Sequence, residues 1–325
     1  NMKNIAVIGG GYSNEKGISL KSAKTVFENI DRDKYNVYKI QIDTDGWFGF
    51  DENDKKQLIN RTDFSFDING QKITIDCAFL VIHGTPGEDG KLQAYFDMLD
   101  IPYTTCSHLA ATLTFNKFAC NRFLESFDIP VAKAVLIREN EAINGLEIIE
   151  KVGLPCFVKP TDGGSSYGVT KVENESQLEG AITLALKHGT QALIESFLNG
   201  REVTNGIYKS LRGIHVLPIT EIVTENAFFD FDAKYKGESN EITPADLEAE
   251  MTSKIKAMTL KVYEILDFSG IARADYIIHN GEPHLIEINA VPGQSAESII
   301  PKMAAHEGLS LKQLFEDVIE VVLKG

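Results

Sequence analysis

Short apolar runs alternate with amphipathic segments over the first hundred residues, and this alternation limits the fold more than any other feature of the chain. Residues 5–8, 36–42 and 78–83 are predicted to be strands, and a helix is predicted from about Ser19. That helix is expected to bury one apolar stripe, formed by Leu20, Ala23, Phe27 and Ile30. Strands that alternate with helices form parallel sheets covered on both faces. We therefore expect residues 1–105 to form a doubly wound α/β domain.

The pattern changes in the middle of the chain, where two further domains are expected at residues 106–195 and 196–325. The first of these contains a predicted helix near residues 113–127 and a glycine-rich hairpin turn at residues 161–168. The last third has longer strands and a predicted helix over residues 244–266, because its leading proline suits the first turn of a helix.

A polar stretch at residues 224–243 contains one glycine and shows neither helical nor strand periodicity. A connection of about twenty residues without structure is usually a functional lid or a disordered segment. Local sequence leaves both interpretations open.

The net charge of the chain is −15, from 32 Lys and Arg against 47 Asp and Glu. A chain this acidic does not neutralise nucleic-acid phosphates in bulk, so we expect no nucleic-acid partner, although a few converging basic residues can still hold a nucleotide. The first residues lead straight into a short apolar run, and no run approaches 18 apolar residues, so neither a secretory signal nor a membrane span is expected. The four cysteines lack CxxC spacing and are expected to be reduced, which favours a cytoplasmic protein.

Three glycines follow the first predicted strand, as in dinucleotide-binding loops. Gly9, Gly10 and Gly11 do not match the G-x-G-x-x-G spacing, so a nicotinamide dinucleotide site is not expected. The loop could still hold a small anion or carboxylate at the start of the helix. Glu15 is a charged residue in this loop, and local sequence alone favours a solvated carboxylate there.

The second glycine-rich turn, at residues 161–168, has lysines on both sides. Its backbone N–H groups could cover phosphates, and Ser165 and Ser166 offer hydroxyls, but the turn is not a Walker A loop and an ordinary hairpin is the alternative. Lys159 lies in the apolar strand that leads into this turn. Because a lysine in a buried strand needs a partner, an anion is expected beside it.

Two apolar strands near the end of the chain carry polar residues two positions apart. Arg273 and Asp275 share one face of the first strand, and Glu287 and Asn289 share one face of the second. The link at residues 280–283 predicts a hairpin, so the two polar faces are expected to adjoin. Three hard oxygen ligands side by side fit Mg²⁺ or Mn²⁺, with a satisfied polar cluster as the alternative.

A lysine on a strand, a glycine-rich hairpin and a metal-binding pair of strands together imply phosphoryl transfer from ATP. The order and spacing of these segments resemble the ATP-grasp ligases, and within that family the D-alanine–D-alanine ligases, over essentially the whole chain. The matching segments are Ser13-Asn14-Glu15 with Ser19, His83-Gly84, Gly87-Glu88-Asp89-Gly90, Lys117, Phe157-Val158-Lys159-Pro160, Gly164-Ser165-Ser166, Glu195, Glu202, Ala233-Lys234-Tyr235, Arg273-Ala274-Asp275, Glu287-Ile288-Asn289 and Pro292-Gly293.

The resemblance implies a three-domain ATP-grasp fold that holds ATP and two Mg²⁺ ions, with Mn²⁺ as an alternative ion. By this resemblance, the residues that bind the nucleotide are Lys117, Lys159, Ser166, Glu195, Phe197, Leu198, Glu202 and Lys234. The implied metal ligands are Asp275, Glu287 and Asn289. The implied catalytic residues are Glu15, Ser165, Tyr235, Arg273 and Gly293, and the implied substrate-binding residues are His83 and Ser298.

The resemblance also implies how some of these residues act. Arg273 and the backbone N–H of Gly293 would stabilise the oxyanion that forms at the acyl carbon. Glu15 would hold the ammonium of the first D-alanine and would join Ser165 and Tyr235 in a hydrogen-bonded trio that closes the polar stretch as a lid.

The activity implied by the resemblance is ATP-dependent ligation of two D-alanine molecules through an acyl phosphate, for peptidoglycan precursors, by an expected homodimer. An enzyme that joins D-alanine to D-lactate is one alternative, although Tyr235 favours an amine acceptor. Another ATP-grasp carboxylate–amine ligase is the second alternative. A non-catalytic nucleotide-binding regulator is the alternative from a different class, and such a protein would have lost the metal residues that are present here. Ser196 and Phe197 depart from the lysine and tryptophan common in the family, which affects ATP affinity more than the reaction.

Overall fold

In the part of the chain that the structure describes, the strands form three large sheets and one two-stranded hairpin. The computed structural model describes residues 2–162, 168–224 and 239–324. Over these residues, no helix is long and apolar enough to cross a membrane. All four cysteines are free and buried, as the sequence predicts.

The first part of the chain forms a mixed sheet. Its elements are β1 (Lys3–Gly10), α1 (Lys16–Asn29), β2 (Tyr35–Asp43), β3 (Gly46–Phe50), β4 (Lys56–Leu58), β5 (Phe66–Ile68), β6 (Gln71–Ile73), β7 (Cys77–Leu80) and α2 (Lys91–Met98). Strand β1 lies between β2 and β7 and runs parallel to both, whereas β3 and β4 extend the sheet as antiparallel strands. The predicted parallel sheet is present, but hairpins connect β2 to β7, because the intervening sequence is rich in turn-forming Asp, Asn and Gly.

Helix α1 faces the first sheet with small side chains. Its most buried residues are Ser19, Ser22 and Val26, one position away from most of the predicted apolar stripe. A Cβ on Gly9 would lie 2.6 Å from the Cβ of Ala23, so glycine is required for the helix to approach β1 this closely. The glycine run therefore serves helix–strand packing at this position, which local periodicity does not reveal.

The second sheet is antiparallel, with the order β10-β9-β11-β8. Its part of the chain contains α3 (His108–Phe115), α4 (Lys117–Glu125), β8 (Ala134–Arg138), α5 (Gly145–Val152), β9 (Cys156–Pro160), β10 (Thr170–Val172), a 3₁₀ helix (Glu175–Gln177), α6 (Leu178–His188) and β11 (Gln191–Ser196). The single helix predicted near residues 113–127 is wrong, because Asn116 is extended and divides it into α3 and α4. The Asn116 side chain accepts the N–H of Ala119 and so caps α4.

The third sheet is also antiparallel, with the order β14-β13-β12-β15-β16. Its part of the chain contains β12 (Arg201–Ser210), β13 (Gly213–Thr224), β14 (Ser239–Ile242), α7 (Ala249–Ile265), β15 (Ala272–His279), β16 (Glu282–Asn289), α8 (Ile299–His306) and α9 (Leu311–Lys324). The predicted helix start at Pro244 is wrong, because the N–H of Ala245 bonds the carbonyl of Ile219 and holds this segment beside β13. The end of the predicted unstructured stretch is also a strand, β14, and residues 225–238 lie outside the described residues.

Two hydrophobic cores join segments that are distant in sequence. Helices α8 and α9 pack on the first sheet, where the ring of Phe315 meets that of Phe79 with centroids 5.5 Å apart. Helices α3 and α4 pack under the third sheet, where Cys120 and Leu124 share a core with Leu285. The predicted domain boundaries at residues 105 and 195 therefore stay a proposal, because each core joins residues on both sides of at least one boundary.

A buried histidine joins the first sheet to the segment that follows the third. His83 lies just after β7, and its Nδ1 is 2.7 Å from the carbonyl oxygen of Val291. Burial lowers the pKa of His83, although the hydrogen bond to Val291 opposes this shift. The folded protein therefore holds the imidazole in its neutral form.

We expect the free energy of unfolding to decrease as the pH falls below about 6.5, because the unfolded chain then protonates His83 while the folded chain resists the proton. His83→Gln removes this titration, so its free energy of unfolding should decrease less between about pH 7.5 and about pH 5.5. Urea denaturation at both pH values measures the two decreases. Equal decreases in the two proteins would contradict the prediction.

Leu285 on β16 tests the core beneath the third sheet. It is fully buried, so Leu285→Ala should lower the free energy of unfolding by about 2–5 kcal/mol through lost contacts and a residual cavity. Leu58→Ala is the matched control, because Leu58 is 71% exposed and a change within about 0.5 kcal/mol is expected there. Urea denaturation of both variants provides the comparison, and similar losses would show that Leu285 packs no better than a surface residue.

Candidate active site

A cavity of about 870 Å³ opens between the sheets. Every predicted site residue that the structure describes lines this cavity: Glu15, His83, Lys117, Lys159, Glu195, Phe197, Leu198, Glu202, Arg273, Asp275, Glu287, Asn289, Gly293 and Ser298. The other predicted site residues lie outside the described residues: Ser165, Ser166, Lys234 and Tyr235. The structure thus brings together residues from the second and third sheets and from loops that follow strands of the first sheet, while their chemical roles stay predictions.

The polar faces of β15 and β16 adjoin, as the sequence predicts. Arg273 is paired with Asn289, and Asp275 is paired with Glu287, in the antiparallel register of the two strands. Asn280 and Gly281 both have positive φ values, of 50° and 75°, which is the geometry of a tight hairpin turn. Since opposed residues of antiparallel strands share a face, the four polar side chains form one platform.

Asp275 is the most buried residue of this platform and accepts hydrogen bonds from three neighbours. Arg273 donates to it through Nε at 3.0 Å and through a terminal nitrogen at 3.1 Å, and Asn289 donates through Nδ2 at 3.1 Å. Thr204 donates its hydroxyl at 2.6 Å, a contact that the sequence did not predict. Burial alone would lower the pKa of Arg273, but Asp275 together with Glu287 and Glu202 outweighs this effect, so that pKa is raised.

The second carboxylate of the platform also lies against a protein cation. Nζ of Lys117, at the start of α4, is 3.1 Å from a carboxylate oxygen of Glu287. Burial by itself would lower the pKa of Lys117, but Glu287 together with Glu88 and Glu195 outweighs this effect, so the pKa is raised and the ammonium stays charged. The cavity wall therefore holds a second close ion pair beside the one between Arg273 and Asp275.

These two ion pairs neutralise the carboxylates that a metal ion was expected to neutralise. Arg273 balances Asp275 and Lys117 balances Glu287, so charge balance alone does not require a metal there. Among the described residues, no three His, Cys, Asp or Glu side chains come together in a group that would hold a metal. With Asn289 included, the donor set of the platform is two carboxylates and one amide oxygen, and such oxygen donors fit Mg²⁺.

Lys159 lies on the second sheet, and its Nζ is 2.5 Å from the carboxylate of Glu195 on the neighbouring strand. The anion that the sequence predicts beside this lysine is thus a protein carboxylate in this structure. Phe157 and Phe197 lie at the same end of the cavity, with ring centroids 5.7 Å apart, and Nζ of Lys171 lies 5.4 Å from the centroid of the Phe197 ring. Flat apolar faces beside polar groups suit a planar heterocycle.

The opposite end of the cavity is built from two turns. The Ser13 hydroxyl donates to the carbonyl of His83 at 3.1 Å and accepts the N–H of Glu15 at 3.2 Å, which fixes the loop that carries Glu15. A Cβ on Gly293 would lie 2.7 Å from Oγ of Ser298, so a larger residue at position 293 would require the Ser298 side chain to shift. Glu15, Gly293 and Ser298 all line the cavity here.

Both ring nitrogens of His83 have protein partners: Nδ1 contacts the carbonyl of Val291 at 2.7 Å, and Nε2 contacts the hydroxyl of Ser22 at 3.1 Å. Glu88 lies nearby and accepts the N–H of Gly84 at 2.9 Å and the N–H of Val291 at 3.3 Å. Burial raises the pKa of Glu88, although these two donors oppose the shift. The sequence alone assigns no role to Ser22 or Glu88. Glu88 is distinguished only as a charged residue within the glycine-rich segment at 87–90, and nothing in the sequence distinguishes Ser22.

Comparison with known proteins fits this geometry. Residues 4–106 match the family described as D-ala D-ala ligase N-terminus, and residues 123–320 match the family described as D-ala D-ala ligase C-terminus. A D-alanine–D-alanine ligase from Flavobacterium johnsoniae is 46% identical over 322 residues, which cover 99% of this chain and all of the relative.

Solved structures with the ATP-grasp fold of these ligases are also similar along almost the whole chain. The VanG D-Ala:D-Ser ligase from Enterococcus faecalis is 32% identical with a TM-score of 0.89, covering 99% of this chain and 100% of that one. A D-alanine–D-alanine ligase from Bacillus anthracis complexed with ATP is 26% identical with a TM-score of 0.79, covering 99% and 98%. By sequence over its whole length and by fold, the chain belongs to the D-alanine–D-alanine ligase family.

Proposed function

We propose that this protein joins two D-alanine molecules into D-alanyl-D-alanine, with ATP converted to ADP and phosphate. The dipeptide would serve peptidoglycan precursors. One observation carries the proposal: a single cavity collects two lysines, an acidic and amide platform, Arg273 and the N–H of Gly293. The full-length match to ligases of this name supports it.

The proposed reaction has two steps. A carboxylate oxygen of the first D-alanine attacks the γ-phosphorus of ATP, the bond to ADP breaks, and an acyl phosphate forms. The amine of the second D-alanine then attacks the acyl carbon, phosphate leaves, and the amine loses a proton. No covalent bond to the protein is needed, so positioning and charge stabilisation carry the catalysis.

The cations of the cavity suit these two steps. Lys117 and Lys159 carry the positive charge that phosphate oxygens need, and each would exchange a carboxylate partner for a phosphate. Arg273 and the N–H of Gly293 would stabilise the oxyanion on the acyl carbon, where one such donor is worth about 3–4 kcal/mol. Glu195, Leu198 and Glu202 would hold the adenine and the ribose, and Phe197 would cover the ring.

Two Mg²⁺ ions, or Mn²⁺ in their place, are part of the proposal, with Asp275, Glu287 and Asn289 as ligands. When bound, such ions screen the negative charges of the phosphates from each other. The oxygen donors on the paired strands support this assignment.

Residues 224–243 are proposed to be the lid that keeps water from the acyl phosphate. Lys234 would contact phosphate, and Tyr235 would join Ser165 and Glu15 in closing the site. Ser166 would add a hydroxyl to the phosphate loop.

The second substrate is part of the proposal as well. The amine of D-alanine is the proposed acceptor, and D-lactate and D-serine are the competing acceptors. D-serine belongs in any test of specificity because the structurally similar VanG protein is a D-Ala:D-Ser ligase. A homodimer in the cytoplasm is proposed from the family resemblance, and light scattering of the purified protein measures the assembly.

The direct test is synthesis of the dipeptide. Purified protein with D-alanine, ATP and Mg²⁺ should give D-alanyl-D-alanine by mass spectrometry, with one phosphate released for each dipeptide. L-alanine in place of D-alanine, or removal of divalent ions with EDTA, should stop both products. Parallel reactions with added D-serine or D-lactate identify the preferred acceptor. ATP hydrolysis without any dipeptide would contradict the proposal and favour a different ligase or a regulator.

Glu287→Gln tests the platform. The change removes one charge with little change in volume, and both the Lys117 pair and the proposed metal site lose their carboxylate, so turnover should fall at least about 100-fold. Glu282→Gln is the matched control on the same strand, where Glu282 pairs with Lys254 at the far end, and its turnover should stay within about twofold. Circular dichroism confirms that both variants fold, and wild-type turnover in Glu287→Gln would reject the platform.

A further inference from the structure

Residues 291–294 lie in the connection between β16 and α8 and include Gly293. The N-terminal part of the chain holds the backbone of this connection at three points. His83 contacts the carbonyl of Val291 at 2.7 Å, and Glu88 accepts the N–H of Val291 at 3.3 Å. Ser22 on α1 accepts the N–H of Gln294 at 3.0 Å. Gly293 therefore lies between two fixed backbone positions.

Ser22 takes part in two of these contacts because its hydroxyl also meets Nε2 of His83 at 3.1 Å. A carbonyl oxygen only accepts, so Nδ1 of His83 must carry the proton that is donated to Val291. In the neutral imidazole, Nε2 is then an acceptor. The Ser22 hydroxyl accepts from Gln294 and donates its proton to Nε2, so every atom in the chain of hydrogen bonds has a defined role.

We propose that Ser22 is a positioning residue for the ligase reaction: it fixes the Nδ1–H tautomer of His83 and, together with His83, sets the direction of the Gly293 N–H. His83 then acts by holding the connection, since both of its ring nitrogens are occupied by the protein. This inference rests on the proposed function for the role of Gly293. Ser22 would act without touching the substrate, because its side chain on α1 is completely buried.

The side chain of Gln294 makes no contact that could replace the hydrogen bond between its backbone N–H and Ser22. Its Nε2 lies 3.3 Å from the carbonyl of Pro292, within the same connection, and its Oε1 has no hydrogen-bond partner among the described residues. The backbone N–H of Gln294 therefore reaches the N-terminal helix only through Ser22. Removal of the Ser22 hydroxyl would leave both this N–H and Nε2 of His83 without their partner.

Ser19 provides a matched control on the same helix. It lies nearly one turn before Ser22 and is equally buried. Its hydroxyl accepts the N–H of Gly10 at 2.9 Å and donates to the carbonyl of Val81 at 2.6 Å. Ser19→Ala and Ser22→Ala thus remove the same group with the same number of hydrogen bonds, but only Ser22 contacts the connection at 291–294.

The kinetic experiment compares the two alanine variants in dipeptide synthesis. Both should be less stable than wild type, as buried hydrogen bonds are lost in each. Ser22→Ala should lower kcat at least about tenfold with KM for ATP nearly unchanged, because misplacement of an oxyanion donor weakens the transition state. Ser19→Ala should keep kcat within about twofold. Equal kcat values in the two folded variants would overturn the positioning role.

A second measurement does not depend on activity or on a variant of Ser22. The protein contains seven histidines, and a two-bond ¹H–¹⁵N spectrum of histidine-labelled wild type reports the tautomer of each. The signal that disappears in His83→Gln identifies His83. It should show a protonated Nδ1 and an unprotonated Nε2 near neutral pH. A protonated Nε2, or an imidazolium, would overturn the assignment. Absence of dipeptide synthesis in wild type would instead reject the proposed function and leave this spectrum to decide the hydrogen-bond chain.

Discussion

Pairing of buried charges is the constraint on which the cavity depends. Three carboxylates on its wall, of Asp275, Glu287 and Glu195, each lie against a lysine or arginine from a different position in sequence. Burial of an unpaired charge costs several kcal/mol, so the removal of one partner from any of these pairs would leave an uncompensated charge and destabilise the fold. The same pairs place three cations on the cavity wall, where an anionic substrate would enter.

This arrangement also explains why the cavity needs three sheets. Glu195 and Lys159 come from the second sheet, Asp275 and Glu287 from the third, and the loop with Glu15 follows the first strand of the first sheet. Each sheet contributes a rigid wall, and the polar residues lie at strand ends or on one strand face. In a site built in this way, the groups proposed to hold a nucleotide are separate from those proposed to hold a small acid, because the two sets belong to different elements.

Sequence patterns predict the structural features that are determined by residues two to four positions apart. The shared faces of β15 and β16 and their hairpin follow from alternation and turn residues, and the structure confirms both. The break at Asn116 is a capping signal inside an otherwise helical pattern, so periodicity alone misses it. The late start of α7 depends on a hydrogen bond from Ala245 to Ile219, which is distant in sequence.

Prediction of the candidate site from the sequence has the same limit. The polar residue types and their order indicate where the cavity residues are, but not which partners they have in the folded chain. Lys159, which was expected to need an anionic partner, has the carboxylate of Glu195, and both ring nitrogens of His83 are engaged by Val291 and Ser22. Contacts of this kind join residues more than 30 positions apart, and a single sequence carries no local signal for them.

The packing of α8 and α9 on the first sheet has a consequence for how the chain is made. During synthesis the ribosome releases the N-terminal strands first, yet the core on one face of their sheet also includes side chains of α8 and α9. That core therefore stays incomplete until these two helices have emerged. Unlike a protein whose domains mature one after another, this one completes its first core with a segment synthesised much later, and the apolar side chains that wait for it expose the nascent chain to aggregation.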